Sequence, residues 1–228
     1  MANGVTQIRR SVMALALPVT VSSLLQRTEG IVAVFLVGGL GATPIAAVGL
    51  GQLLAFIAST LVSGLSVGTN VIVAQLWGAK RRRDAGQAAR HFLFLSLAVS
   101  LVLMAAGLLF NHLAMQLLGA APDVIALSLP YSTLIFLVIP FTVLLQVLSS
   151  ILQGTGDTKT PMYAMIVVNV LHILIAYPLI YGRWGLPSLG VQGAAIAVGI
   201  AEATGTCYLA SQWLPLLHRS PRVRFDLF

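Results

Sequence analysis

Charge is what this chain has least of: 8% of its 228 residues are Asp, Glu, Lys or Arg. A soluble domain carries roughly a quarter, so water could not solvate the surface of a fold built from this composition. Cysteine is limited to Cys207, inside an apolar stretch. That excludes an intramolecular disulfide and any thiolate metal cluster, and it leaves the redox compartment undetermined. The four histidines are scattered. There is no HExxH pair for a metallohydrolase and no GxxxxGK[ST] loop for a nucleotide. Gly-Thr-Gly at 154–156 is a weak glycine signal that helix-end turn chemistry explains. An enzyme, an ATPase and a primary pump are therefore set aside. Low-complexity segments, short-period repeats and a soluble domain are also missing.

What is present is hydrophobicity in long blocks. Hydrophobic residues make up 58% of the chain, and mean hydropathy is +0.95. A helix needs about 20 predominantly apolar residues to cross a bilayer core. Six blocks meet that length, at roughly 12–37, 45–76, 87–110, 124–152, 160–182 and 189–214. They predict an all-α, polytopic bundle of six transmembrane helices. Arg9 and Arg10 before an apolar run resemble the start of a signal peptide. That run continues to about Val37, too long for one, so it reads as a retained first span. Several blocks exceed a perpendicular crossing, which predicts tilt or extension beyond the lipid. Pro18, Pro130, Pro140 and Pro178 lie inside blocks and predict bends or breaks there.

The net charge of +7 would suggest nucleic acid in a soluble chain. Here the cations fall between membrane blocks, where the positive-inside rule accounts for them. Arg9, Arg10, Lys80 to Arg83, Arg90, Lys159, Arg219, Arg222 and Arg224 collect on one side, and Arg183 stands on the other. Both termini and the second and fourth loops are expected in the cytoplasm. No nucleic-acid partner is expected. The partners are the bilayer, with anionic lipid a minor reading for Lys80–Arg83, and a small molecule. Small residues four apart, Gly64/Gly68, Gly193/Ala197 and Ala201/Gly205, suit close helix crossings in lipid.

Ionisable residues inside spans are costly, which makes each a functional candidate. They are Arg27 and Glu29 in the first block, His172 in the fifth and Glu202 in the sixth, with Asn169 one turn before His172. Glu29 is the sharpest, because a carboxyl enclosed by lipid and protein can hold and release a proton. Its alternative is an ion pair with Arg27, but residues two apart on a helix do not face each other. His172 titrates near neutral pH where its surroundings allow, or it is a neutral ring bonded to a backbone carbonyl. Glu202, between Ala201 and Ala203, is a proton or substrate group or a protonated structural acid.

Three stretches then occur in order: VGGLGATPIAAVGLG at 37–51, GLSVGTNVIVAQLWGAK at 64–80 and LQGTGDTKTPMYAMIVVN at 152–169, followed by YPLIYG and LGVQGAAIAV. Together they resemble the multidrug and toxic compound extrusion (MATE) family, over nearly the whole chain. The resemblance gives Gly38, Gly41, Gly64, Gly68, Gln75, Gly78, Gly154, Gly156, Asp157 and Thr158 the role of structural motif residues. It implies a secondary antiporter in a plasma membrane, such as a bacterial inner membrane. Amphipathic or cationic drugs or metabolites would be exported in exchange for H+ or Na+, with no organic cofactor and no resident metal.

Such proteins have two six-span lobes, and this chain matches the amino-terminal one, 1–218. Residues 219–228 resemble the start of the cytoplasmic linker that leads to the second lobe. A homodimer or a separately encoded second half would complete the machine. The alternatives are a truncated, non-transporting lobe and a lipid-linked oligosaccharide flippase of the same superfamily. Many family members place an acid five residues before the glycine of the VGxLG stretch, where this chain has Ala33. Glu29 lies one turn earlier on the same face. The family's Asn and Asp or Asn of the fifth span are His172 and Ala176 here.

Overall fold

The computed structural model describes residues 2–185 and 187–218, with side chains over 13–185 and 187–213. Six helices follow in order: α1 Ala2–Gly38, α2 Ala42–Gly78, α3 Arg82–Leu117, α4 Pro122–Gly154, α5 Lys159–Tyr181 and α6 Val191–His218. All six contain a stretch long and apolar enough to cross a membrane. The bundle of six transmembrane helices is the one expected. Arg9, Arg10 and the cations of 219–228 fall outside the described side chains, as does the linker expected there.

The helices outrun several apolar blocks. α3 has 36 residues and begins at Arg82, ahead of the block at 87. Its first turns, Arg-Arg-Asp-Ala-Gly-Gln-Ala-Ala-Arg, are rich in good helix formers. Hydropathy marks the segment that needs lipid, whereas the helix ends only at a breaker. Here the breakers are turns: Gly182 closes α5 in the left-handed region at φ 67, and Gly156 turns the α4–α5 connection at φ 92. Asp157 starts α5. Its Oδ1 accepts the Thr160 N–H at 3.0 Å and its Oδ2 accepts the Thr160 hydroxyl at 2.6 Å. Removing that cap in Asp157→Ala should lower stability by about 1 kcal/mol, read as a lower thermal midpoint in detergent.

The expected breaks at the prolines do not occur. Pro18, Pro130, Pro140 and Pro178 all sit inside continuous helices. A proline removes one rung of the ladder, and helix packing in a bundle tolerates that loss. α4, which carries two of them, packs on α2, α3 and α6.

Five helices make a ring, α1 to α2 to α4 to α6 to α5 and back to α1, and α3 packs outside it on α2 and α4. The bundle exposes large apolar side chains and buries a set of polar ones within a mostly apolar core. Phe35, Leu61, Val102 and Leu109 are exposed, while Ser66, Ser96, Ser132, Asn111, Asn169, His172 and Glu202 are buried. Asn111 was not legible as an interior residue, because it stands just past the third apolar block. Its amide donates to the Thr133 hydroxyl at 3.2 Å, and its Oδ1 accepts the Ser132 hydroxyl at 2.9 Å, tying α3 to α4. The Ser128 hydroxyl donates to the Ala47 carbonyl at 2.9 Å and ties α4 to α2.

Small residues divide by helix. Ala197 and Ala201 are fully buried. A Cβ at Gly193 would lie 2.8 Å from the Leu179 carbonyl, and one at Gly205 would lie 3.1 Å from Leu145. Those residues set the α6 crossings. Gly64 and Gly68 do not: a Cβ at either meets nothing within 4 Å. The α2 pair lies on an open face rather than at a crossing within the bundle.

Candidate functional site

α1 presents Ser22, Gln26, Glu29, Ala33 and Val37 at intervals of three and four, one stripe along a helix. Ser22, Ala33 and Val37 are buried, so the stripe turns towards the ring's interior. α5 contributes Met165, Asn169, His172 and Ala176 in the same way, all buried. Between α1, α2, α4 and α5 lies a cavity of about 340 Å³. Its wall includes Ser22 and Gln26 from α1, Ser66 and Asn70 from α2, and Gln146 and Gln153 from α4, and none of its lining residues is ionisable.

Of the two acids within the bundle, Glu29 is half-buried on the α1 stripe and Glu202 is buried on α6. Glu29 is one turn beyond Gln26, and its Oε1 is buried with no hydrogen-bond partner. Glu202 of α6 is 6% exposed and accepts a hydrogen bond from the Thr142 hydroxyl of α4. The Gln52 amide donates to the Gly30 carbonyl at 3.0 Å, joining α2 to α1 beside Glu29. Gly51 makes room for the Tyr131 ring, since a Cβ there would lie 2.5 Å from it. Four helices are linked in this region, α1 to α2 by Gln52, α2 to α4 at Gly51 and Tyr131, and α4 to α6 by Thr142.

Other candidates are not drawn into that meeting. Arg27 is exposed and makes no ion pair among the described residues, where the salt bridge is Arg81–Asp84 at 2.6 Å. The pairing of Arg27 with Glu29 is therefore not made, because α1 is continuous there and the two point apart. His172 is fully buried, and both ring nitrogens lack partners, so the bond to a backbone carbonyl is not made either. Asn169 donates to the Met165 carbonyl of its own helix at 2.9 Å.

Apart from Gly64 and Gly68 on the open face of α2, the motif residues lie at turns and helix contacts. Gly38 and Gly41 flank the α1–α2 turn, and Gln75 and Gly78 stand at the end of α2. The Gln75 carbonyl accepts the Ala79 N–H at 3.0 Å. A Cβ at Gly154 would lie 2.9 Å from the Asn70 carbonyl oxygen, and the Asn70 amide donates to the Ser150 carbonyl at 3.0 Å. Thr158 is buried beside the Asp157 cap. Sequence reasoning missed Gln52, Tyr131, Thr142 and Ser66. Neutral polar residues are common within spans, and only the folded partners single these out.

The MatE family profile matches residues 18–178. The chain belongs to the MatE family. It is thus a member of a transporter family, with the fold of a MATE lobe. It is 32% identical over 193 residues to the probable multidrug resistance protein YoeA of Bacillus subtilis (strain 168), covering 84% of this chain and 42% of that protein. It is 30% identical over 211 residues to the multidrug resistance protein MdtK of Yersinia pestis (strain Pestoides F), covering 92% of this chain and 46% of that protein. A crystal structure of MATE in the bent conformation superposes with a TM-score of 0.83 at 27% identity, over 96% of this chain and 48% of that one. The Vibrio cholerae MATE transporter VcmN in the bent form shares the fold, with a TM-score of 0.89 at 22% identity, over 98% of this chain and 50% of that one. The chain spans about half the length of the relatives it matches.

Proposed function

We propose that this MatE lobe serves a secondary antiporter that exports amphipathic or cationic solutes against an inward flow of protons. The observation that carries the reading is Glu29, half-buried with its Oε1 buried and unpartnered, one helical turn from a polar cavity with no charge of its own. A cationic solute entering the cavity favours the ionised carboxyl, and a proton arriving at the carboxyl disfavours the cation. Binding of either then opposes binding of the other by the same factor, which is the linkage an exchanger needs.

In this reading Glu202 is the second proton-bearing group, held by Thr142, and His172 and Asn169 line the adjoining interior. The relatives' greater length supports a second lobe facing this one, from another copy of the chain or a separately encoded partner. Two parallel lobes related by an axis along the membrane normal give a cleft that opens alternately. The Lys80–Arg83 end faces the cytoplasm, in a bacterial inner membrane. A lipid-linked oligosaccharide fits less well, since its phosphate would find no cation on the cavity wall.

The test is ethidium exchange in proteoliposomes carrying the chain. Uptake should follow an imposed proton gradient and stop when a protonophore collapses it. Exchange indifferent to the gradient, or no exchange beyond that of empty vesicles, contradicts the proposal. Native mass spectrometry of the same sample should show a second lobe bound.

A further inference from the structure

One end of the bundle carries more positive charge than the fold uses. The α2–α3 and α4–α5 turns lie together there, since a Cβ at Gly154 would lie 2.9 Å from the Asn70 carbonyl oxygen and 3.1 Å from Val73. The acids beside those turns are both engaged. Asp84 accepts from Arg81 at 2.6 Å, and Asp157 caps α5 through Thr160. Lys80, Arg82, Arg83 and Arg90 make no ion pair among the described residues. Arg82 lies over the Trp77 ring, 4.9 Å from its centroid, and tryptophan is an aromatic that settles at the membrane–water boundary.

The positive-inside rule accounts for cations in a loop, but not for where two of these stand. Arg83, Arg90, Phe94, Leu97 and Leu101 follow one another on α3 at intervals of seven, four, three and four, one stripe along a helix. Arg83 is exposed and Arg90 half-buried, and Arg90 already stands inside the third apolar block. Phe94, Leu97 and Leu101 are 64, 36 and 44% exposed. α3 is the helix that packs outside the ring, so this stripe runs from charge to exposed apolar side chains without a break. At 1.5 Å per residue, Arg90 to Leu101 spans about 16 Å. That is one leaflet, half of a hydrocarbon core of about 30 Å.

We infer that this stripe of α3 holds an anionic phospholipid, its headgroup at Arg83 and Arg90 and its acyl chains along Phe94, Leu97 and Leu101. The planar guanidinium fork matches phosphate oxygens, and Lys80 and Arg82 add to the positive potential beside it. A zwitterionic lipid offers the same phosphate but brings a cation with it, so it gains less from fixed positive charges. A soluble phosphate has no chains to cover the apolar part of the stripe. No α3 residue lines the cavity, so the lipid site stands apart from the transport reading and does not depend on it.

Native mass spectrometry tests this on the chain released from micelles that hold equimolar phosphatidylglycerol and phosphatidylcholine with the same acyl chains. Each cation near a membrane surface is worth about fivefold for an anionic lipid, so phosphatidylglycerol should be retained over phosphatidylcholine about tenfold or more. Arg83→Gln with Arg90→Gln should lose most of that preference. Arg83→Lys with Arg90→Lys, which keeps the charge, should hold most of it. Lys159→Gln, which removes an exposed cation from the other turn, should also hold it. Equal retention of the two lipids by the wild type overturns the site whatever the variants do. An equal loss in Lys159→Gln and in the double glutamine variant overturns it in favour of diffuse charge. Displacement of the lipid by excess sn-glycerol 3-phosphate overturns it in favour of a soluble phosphate.

Discussion

Glu29→Gln is expected to reduce gradient-driven exchange to that of protein-free vesicles while leaving the bundle intact. Glutamine matches the carboxyl in shape and keeps its ability to accept a hydrogen bond, but it cannot carry a proton through the pH range of the experiment. Glu29 Oε1 is buried with no partner, so its ionised form is held at a cost to the fold. Because the resting group that releases a proton on solute binding is the neutral carboxyl, the neutral glutamine should leave the thermal midpoint close to wild type while it removes the coupling. Arg27→Gln, two positions away but exposed and unpaired among the described residues, should exchange at close to the wild-type rate. Wild-type exchange in Glu29→Gln would remove this carboxyl from the mechanism.

The second large effect belongs to the α5–α6 crossing. Gly193→Val should destabilise the chain by about 1–3 kcal/mol, the usual range for overpacking a tight site. The obstacle is backbone: a Cβ at Gly193 lies 2.8 Å from both the carbon and the oxygen of the Leu179 carbonyl. A flexible side chain could swing away, but a helix carbonyl can move only if α5 moves with it. Gly64→Ala should instead be neutral or stabilising by up to about 1 kcal/mol, because alanine favours the helix and nothing lies within 4 Å of its Cβ. Thermal unfolding of the two variants in detergent gives the comparison. Equal losses at both positions would mean that the α6 crossing is looser than its backbone contacts imply.

Both glycines sit in small-xxx-small patterns, and the sequence offers no way to tell them apart. Periodicity shows that residues share a face, but the partner of that face is set by helices far along the chain. The same limit applies to the acids. Glu29 and Glu202 were each visible as ionisable groups inside apolar blocks, yet that Glu202 is held by Thr142 while Glu29 Oε1 has no partner depends on which helices meet.

The helices themselves were legible for a plain reason. In lipid every backbone polar group must be satisfied within its own segment, so long apolar blocks have few alternatives to helix. Helix ends were less legible, as α3 shows: polar flanks with good helix propensity continue the ladder beyond the lipid-facing block. Asn111 was lost at such an edge. The motif glycines and Asp157 carried the family resemblance well because turns and caps demand particular residues. The cavity's serines are chemically ordinary in a span. Only their hydrogen bonds show that these hydroxyls turn back onto carbonyls of their own helices.

The most direct measurement is proton release on solute binding. Purified chain in weak buffer near neutral pH is titrated with ethidium, and the protons released are counted against the ethidium bound. The account predicts release that rises with occupancy in the wild type and is lost in Glu29→Gln, although that variant still binds. Ethidium bound by the wild type without proton release, or with the same release from Glu29→Gln, would contradict it.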